Sequence, residues 1–358
     1  MKKILTGILI ILTAFCFAGC GGEPAPAPEP VDYEVGFVIN DVVLDEDPVN
    51  EAVWNGIVDF GEENAVAHKA FIPDERTTAG YLTSIEDAVK TGVNVIVMSG
   101  EGVIDALNRA AEKHGKIDFI FIDDSLVKKD SDKKVKLAKN VMRITFAEEQ
   151  AGYLAGYAAV CDGLRHIAFA GEKNVKGIRN YGVGFVQGIE EAAKEIGVTD
   201  LTVKYKYMDN MKKSAVRKQV LKWYKAGTEA VFACGSKMDK PVIKAAEMAG
   251  GKVIGADVDK SYLSKTVFTS AVRKYDSAIS FSLMQHFDGD FKGGRTYRLT
   301  VAESGVGLSM NESDFEEFKK GDYGKVYERI QDGILKVKGE NKVSLSDMNL
   351  KIAELEVQ

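Results

Sequence analysis

The chain has 358 residues and a formal net charge of −6, with 45% hydrophobic and 28% charged residues. This composition is that of a globular protein, and the length suffices for about two domains. A mild acidic excess provides no electrostatic attraction to nucleic acid or to an anionic membrane surface, so we expect neither as a partner. Four cysteines and four histidines argue against a disulfide scaffold and a multi-histidine metal site, and we predict no metal and no cofactor.

The N-terminus has the pattern of a bacterial secretory signal. Lys2 and Lys3 precede an uncharged apolar run at residues 4–17, which is short for a membrane span. Small residues then precede Cys20, as in a lipobox, where the cysteine receives lipid (including palmitate) and becomes the first mature residue. The alternative is an ordinary signal peptide cleaved near Ala18. The lipobox interpretation predicts a cell-membrane protein held by its lipid anchor only, on the extracytoplasmic face.

A proline-rich segment follows Cys20. Four of the seven prolines lie between residues 21 and 30, where they alternate with Ala or Glu. This pattern predicts an extended spacer of about 3.1 Å per residue. We therefore assign residues 1–19 to the signal peptide and residues 20–32 to the lipidated cysteine and linker.

Short β-branched runs alternate with longer amphipathic stretches from Tyr33 onward. The predicted strands are residues 34–39, 67–71, 93–98, 119–122, 140–146, 166–170, 202–207, 230–234 and 252–256. The predicted helices are residues 50–63, 77–91, 103–113, 148–161, 181–196, 214–226 and 238–249. Continuous apolar strands suit parallel sheets covered on both faces, and their alternation with helices predicts βαβ units.

This alternation occurs once before and once after about residue 146, which predicts two doubly wound α/β lobes. A late strand, helix and strand at 268–272, 275–287 and 296–300 are expected to complete the two sheets, before a polar, charged C-terminal region. The predicted N-terminal lobe is 33–145 plus 272–300, and the C-terminal lobe is 146–271 plus 301–358. Ligands of such sheets bind beyond the carboxyl ends of the strands, in a cleft.

Polar or glycine residues follow several predicted strands at the same topological place in both halves. Each one alone is typical of a turn or a helix cap. Together they predict a small-molecule cleft. These residues are Asn40, Asp41, Ser99, Gly100, Asp123, Gly235 and Asp257.

Sequence signatures of enzymes are sparse. Gly182, Gly184 and Gly188 have the wrong spacing for a dinucleotide loop and lie inside a predicted helix, which favours close helix packing. The sequence holds no P-loop, no G-x-S-x-G and no H-E-x-x-H motif, and its histidines are scattered. We therefore predict a protein that is not an enzyme.

Five stretches, which begin at Asp47, Phe146, Tyr181, Ile254 and Thr269, together resemble one family. The most specific of them contains the run E-E-Q-A-G-Y-L-A-G-Y. They resemble the basic membrane protein (Bmp/Med) family of lipoprotein solute-binding proteins, whose best-understood members are purine nucleoside receptors of ABC transporters. The resemblance covers most of residues 35–308. It implies a type I periplasmic-binding-protein fold with two Rossmann-like lobes, a ligand cleft and three crossovers.

The resemblance also implies roles for individual residues. In purine-binding members two aromatic rings sandwich the base, a polar pair holds its edge, and an Asp with a Lys grips the ribose hydroxyls. By position, Asp257 matches that Asp, Tyr181 matches one stacking ring, and Asn50 matches the Asn of the D-x-F-N motif. Val49 stands where that motif has its stacking Phe, and Arg273 stands where the lysine is usual.

Three functions remain open at this point. We expect a monomeric, membrane-anchored solute-binding protein that delivers a purine nucleoside to an ABC transporter permease. A receptor of the same fold that senses its ligand without feeding a transporter is the first alternative. An extracellular hydrolase on a two-lobed α/β scaffold is the second, with Asp41, Asp123 and Asp257 as acid–base groups, although no paired spacing supports it.

Overall fold

The computed structural model describes residues 32–44, 47–122, 136–311, 313–339, 341–348 and 350–358. The predicted lipidation site Cys20 and the predicted ligand residue Asp123 lie outside these ranges. Within them, no helix combines the length and the apolar character that a membrane crossing requires.

The first sheet of the described chain has six parallel strands. They are β1 (Val35–Val38), β2 (His68–Phe71), β3 (Val95–Ser99), β4 (Asp118–Ile122), β5 (Val141–Phe146) and β11 (Arg295–Leu299). Their spatial order is β11-β5-β4-β3-β1-β2. The helices that pack with this sheet are α1 (Pro48–Asn64), α2 (Thr78–Lys90), α3 (Ile104–Lys113) and α8 (Tyr275–Phe287). Helix α1 packs with α8, and α2 packs with α3. The four central strands β1, β3, β4 and β5 are buried along nearly their whole length, as a covered parallel sheet requires, whereas the edge strands β2 and β11 are partly exposed.

The second sheet has seven strands in the part of the chain that is described. They are β6 (His166–Gly171), β7 (Leu201–Tyr207), β8 (Ala230–Cys234), β9 (Lys252–Asp257), β10 (Val267–Arg273), β12 (Val306–Leu308) and β13 (Ala353–Val357). Their order is β12-β10-β9-β8-β6-β7-β13, and only the β10–β12 pair is antiparallel. Its helices are α4 (Glu148–Cys161), α5 (Lys176–Ile196), α6 (Lys213–Lys225), α7 (Asp239–Ala249) and α9 (Lys320–Gln331).

The chain passes between the two sheets three times, after β5, after β10 and after β11. The predicted architecture of two α/β lobes with three crossovers is thereby confirmed. The lobe boundaries at 145/146, 271/272 and 300/301 stay a prediction.

Some elements differ from the sequence expectation at their ends. Helix α1 begins two residues earlier than predicted because Asp47 caps it, accepting a hydrogen bond from the Val49 N–H at 2.9 Å, and Pro48 is its first residue. Strand β12, helix α9 and strand β13 were missed in the C-terminal region. Helix α9 buries only Val326 and Ile330, and β13 is an edge strand, so neither has a strong apolar pattern.

Glycines allow α4 and α5 to pack closely. A Cβ atom at Gly184 would overlap the carbonyl oxygen of Glu149, and one at Gly188 would overlap that of Tyr153. The predicted packing role of these glycines is confirmed. Since α4 directly follows the first crossover, this contact fixes α5, and with it Tyr181, beside the junction of the two lobes.

Candidate ligand-binding site

A hydrogen-bonded chain of three polar side chains stands at the carboxyl edge of the first sheet. Asn50, in the first turn of α1, donates from Nδ2 to Asn40 Oδ1 at 2.8 Å, and Ser99 Oγ donates to Asn50 Oδ1 at 3.2 Å. Asn50 and Ser99 are only 0% and 1% exposed. They therefore hold the half-buried amide of Asn40, which follows β1, in a fixed orientation.

Two further residues fix the position of Asn40. Gly100 has a φ of +84°, and a Cβ there would overlap Asn40 Nδ2, so only glycine fits both the backbone and the space. The hydroxyl of Tyr81 on α2 donates to the Asn40 carbonyl oxygen at 2.9 Å. Burial raises the pKa of Tyr81, which keeps this phenol a donor. The sequence pattern did not single out Tyr81, because it comes from the interior of a helix.

Asp41 lies at the edge of this site and not within the Asn40 network. Its Oδ2 is 3.2 Å from Nη1 of Arg76, in the loop between β2 and α2. Its Oδ1 accepts a hydrogen bond from the Val42 N–H at 2.7 Å. Asp41 therefore reaches the site through Arg76, which also interacts with the side chain of Tyr81, and it does not bond to Asn40 directly.

The carboxylate of Asp257 lies at the carboxyl edge of the second sheet, and one of its two oxygens contacts other side chains. Asp257 ends β9, and its Oδ1 is 2.9 Å from Arg273 Nη2 and accepts a hydrogen bond from the Tyr181 hydroxyl at 3.3 Å. Among the described residues, Oδ2 has no protein partner. The backbone at Asp257 has a φ of +73°, a conformation that costs a non-glycine residue about 1–2 kcal/mol. Such strain at a half-exposed carboxylate is typical of a functional position.

Arg273 connects this carboxylate to the crossovers. Its guanidinium carbon is 5.7 Å from the centroid of the Phe146 ring and 5.5 Å from that of Tyr275, within cation–π range. Burial opposes the charge of Arg273, but Asp257, Tyr275 and Tyr181 together raise its pKa, so it stays protonated. Its Nε is buried and has no hydrogen-bond partner among the residues that the structure describes. Phe146 ends β5 and Tyr275 begins α8, so these rings flank two crossovers. Neither was predicted as a site residue, and this flanking position is the signal that could have found them.

Tyr181 contributes its hydroxyl to the site. The side chain is only 2% exposed, and its ring lies edge-on to Phe232 with the centroids 5.9 Å apart. Burial, with the nearby Asp257 carboxylate, raises the pKa of Tyr181 well above its usual value, so the phenol remains a donor. In this structure the ring has no free face, and the stacking role that the resemblance implied stays a prediction.

Gly235 closes the same edge after β8. Its φ is +110°, and a Cβ there would come within 2.5 Å of Glu172 Cβ. Beyond it, Asp239 forms an ion pair with Lys260 at 3.0 Å, and burial raises the pKa of Asp239 despite this partner. In the ranges described, no group of three or more His, Cys, Asp or Glu side chains is placed to hold a metal ion. The described groups at this edge are hydrogen-bonding and ion-pairing side chains.

Two α/β lobes with polar residues at the carboxyl ends of their strands define the type I periplasmic-binding-protein fold, the fold class of this chain. Solved structures of this class are similar to the chain. A solute-binding protein of an ABC transporter from Conexibacter woesei has a TM-score of 0.69 at 15% identity and covers 86% of this chain and 99% of its own. One from Aeropyrum pernix has a TM-score of 0.63 at 17% identity, covering 85% and 92%. At these identities the similarity shows the fold.

The sequence model of ABC transporter substrate-binding proteins of the PnrA-like type matches residues 33–346. The chain belongs to this Bmp family, as its resemblance implied. It is 24% identical over 344 residues to the nucleoside-binding protein BmpA of an ABC transporter in Lactococcus lactis, covering 88% of this chain and 94% of that protein. It is 28% identical over 351 residues to basic membrane protein D of Borreliella burgdorferi, covering 94% and 95%.

Proposed function

We propose that this protein is a lipid-anchored, monomeric receptor on the extracytoplasmic face of the cell membrane. It binds a purine nucleoside in the cleft between its lobes and delivers it to an ABC permease. The observation that carries the proposal is Asp257, whose Oδ1 contacts Arg273 and Tyr181 while Oδ2 has no hydrogen-bond partner among the described residues. The name of the Lactococcus relative, a nucleoside-binding protein, supports the ligand class.

The chemistry of a nucleoside matches the groups on the two lobes. The vicinal hydroxyls of a ribose donate hydrogen bonds to a carboxylate, and Asp257 Oδ2 is available to accept them. A ligand oxygen that reaches Arg273 Nε would satisfy a buried donor, which otherwise costs about 1–3 kcal/mol. On the other lobe, the amide of Asn40 offers a donor to the edge of a purine base.

A ligand held from both lobes favours the closed arrangement. The Asn40 amide and the Asp257 carboxylate belong to different lobes, so one small molecule contacts both only when the lobes approach. Such a ligand shifts the population toward closure by its differential affinity for the closed state, and by no more.

Val49 sets the expected strength of binding. It stands where the family pattern has a stacking ring, and its side chain is half-buried and packs on the core of the first lobe. Loss of one base–aromatic contact forfeits about 1–3 kcal/mol. We therefore expect weaker nucleoside binding than in relatives with both rings.

Calorimetry and thermal melting of the Cys20→Ser protein with inosine, guanosine and adenosine test the proposal. Binding to the native state alone stabilises it by about 2.7 kcal/mol at a hundredfold excess over Kd. We expect a saturable rise in Tm that Asn40→Ala weakens. The matched control is Asn64→Ala at the other end of α1, whose side chain bonds only the Phe60 carbonyl at 2.9 Å. Absence of any shift with all three nucleosides would exclude the purine assignment.

Anchoring is tested separately. We expect wild-type protein in the membrane fraction and the Cys20→Ser variant in the soluble fraction or the medium, because the lipid is the proposed attachment. Retention of the variant in membranes after a carbonate wash would contradict the anchor at Cys20.

A further inference from the structure

Helix α6 carries a concentration of positive charge that the whole-chain balance conceals. Six basic residues lie between positions 212 and 225, and no acidic residue occurs from Asn210 to Thr228. The whole chain has a net charge of −6, so the remainder without these six carries −12. The segment is therefore opposite in sign to the rest of the protein. We call these residues the basic face; they are Lys212, Lys213, Arg217, Lys218, Lys222 and Lys225.

The basic face is exposed, and its charges are unpaired within the described chain. Helix α6 buries Val216, Val220 and Trp223 against the second sheet, whereas all six basic residues are exposed. At 3.6 residues per turn, the side chains of Lys218, Lys222 and Lys225 lie opposite the buried stripe. None of the six forms an ion pair with a described carboxylate.

Several exposed lysines on other helices are paired with a carboxylate, whereas none of those on α6 is paired with a described one. Ion pairs three residues apart join Lys90 to Asp87 on α2, Lys244 to Glu247 on α7, and Lys325 to Asp322 on α9. The neighbouring α7 adds one more exposed lysine, Lys240. The edge strand β13 carries Glu354 and Glu356 on the flank of the helix, but they form no ion pair with the basic face.

We propose that the basic face docks on anionic phospholipid headgroups at the membrane surface. This proposal rests on the proposed function, because the proposed lipid anchor is what brings the protein to the membrane. Asp32 is the twelfth residue after Cys20, and an extended chain of twelve residues spans at most about 40 Å. The domain therefore stays near the bilayer, where basic residues are attracted to anionic headgroups over about a Debye length.

The composition of α6 favours adsorption over insertion. None of the large apolar side chains that are exposed in the described structure belongs to this helix. Its outward face thus offers charge alone, and binding is expected to weaken steeply with salt. Contact at this face would hold the second lobe against the bilayer while the anchor holds the linker.

Vesicle co-sedimentation of the Cys20→Ser protein tests the proposal without the anchor. We expect binding to phosphatidylcholine vesicles that contain phosphatidylglycerol, little binding to phosphatidylcholine alone, and release by salt. The combined variant K218Q/K222Q/K225Q should bind more than tenfold more weakly, since each basic residue at an anionic surface contributes roughly fivefold. The matched control K116Q/K139Q/K292Q removes three exposed lysines from the first lobe and should retain most of the binding.

Three results would overturn the proposal. They are no binding to anionic vesicles, equal losses in the two triple variants, and binding of duplex DNA or heparin in preference to vesicles. The last would assign the basic face to a soluble polyanion. The nucleoside-induced rise in Tm, measured on the same variants, reports the proposed ligand function independently, and membrane fractionation of wild-type and Cys20→Ser protein reports the anchor.

Discussion

Substitution of Asp257 by Asn changes the charge of the candidate site with little change of shape. Asparagine tolerates the left-handed backbone that the φ of +73° imposes. The substitution removes the negative charge that Arg273 Nη2 faces at 2.9 Å. It also replaces one acceptor oxygen by an NH₂ donor, which cannot accept a ribose hydroxyl.

The expected losses follow from the geometry at Asp257. A hydrogen bond to a charged group contributes about 1.5–3 kcal/mol, which corresponds to a roughly 10- to 150-fold rise in the Kd for ribosides. The side chains of Asp257 and Arg273 are 24% and 20% exposed, so solvent screens their ion pair in part. We expect the free energy of unfolding to fall by about 1–3 kcal/mol, less than for a fully buried pair.

Calorimetric titration with guanosine and with guanine separates the ribose contribution from that of the base. Asp257→Asn should weaken the binding of guanosine roughly 10- to 150-fold and the binding of guanine by less than about threefold. The control Asp259→Asn removes the same charge two residues later, where the carboxylate accepts from Ser309 Oγ at 2.7 Å and from the Ser261 N–H at 3.0 Å. It should change neither affinity. Equal losses for guanosine and guanine, or equal effects of the two variants, would refute the reasoning.

Three further predictions concern packing, closure and pH. Gly184→Ala should lower the free energy of unfolding by about 3 kcal/mol or more, because the added Cβ would overlap the backbone of α4. The control Gly324→Ala places its Cβ in open space on α9 and should raise the free energy of unfolding by about 0.5–1 kcal/mol. Equal shifts in Tm for the two variants would contradict this prediction. Trp54 lies one helical turn after Asn50, so nucleoside should change its fluorescence saturably; a signal that survives Trp54→Phe would contradict this assignment. Hydrogen bonding to Arg329 lowers the pKa of Glu195, so this group stabilises the fold above the usual carboxyl pKa and loses that contribution as the pH falls. Glu195→Gln should reduce the fall in the free energy of unfolding as the pH drops below the usual carboxyl pKa. An unchanged pH profile would show that Glu195 does not contribute to acid unfolding.

Most of the fold could be predicted from the chain because its signals are local. Strands such as β3 and β4 are continuous apolar runs, and α5 ends at Gly197, which has a left-handed φ of +74°. The C-terminal elements could not be predicted in the same way. Helix α9 and strand β13 acquire their structure by packing on elements distant in sequence, and their own patterns are polar.

The candidate site was predictable at the strand ends and less so around them. The positions of Asn40 and Asp257 follow from the rule that ligands bind beyond carboxyl strand ends. Tyr81 contacts Asn40 from helix α2, and Phe146 and Tyr275 contact Arg273 from elements that flank the crossovers. No local spacing in the sequence encodes such contacts. The basic face was missed for another reason, because the net charge averages over surfaces of opposite sign.

The small molecule that accompanies the natively purified protein shows most directly whether the protein binds a purine nucleoside. Mass spectrometry of the intact complex, followed by analysis of the released compound, reports the ligand without a prior choice of candidates. We expect a purine nucleoside in wild-type protein and its loss in the Asp257→Asn variant. A released compound of another class, retained equally by that variant, would contradict this expectation.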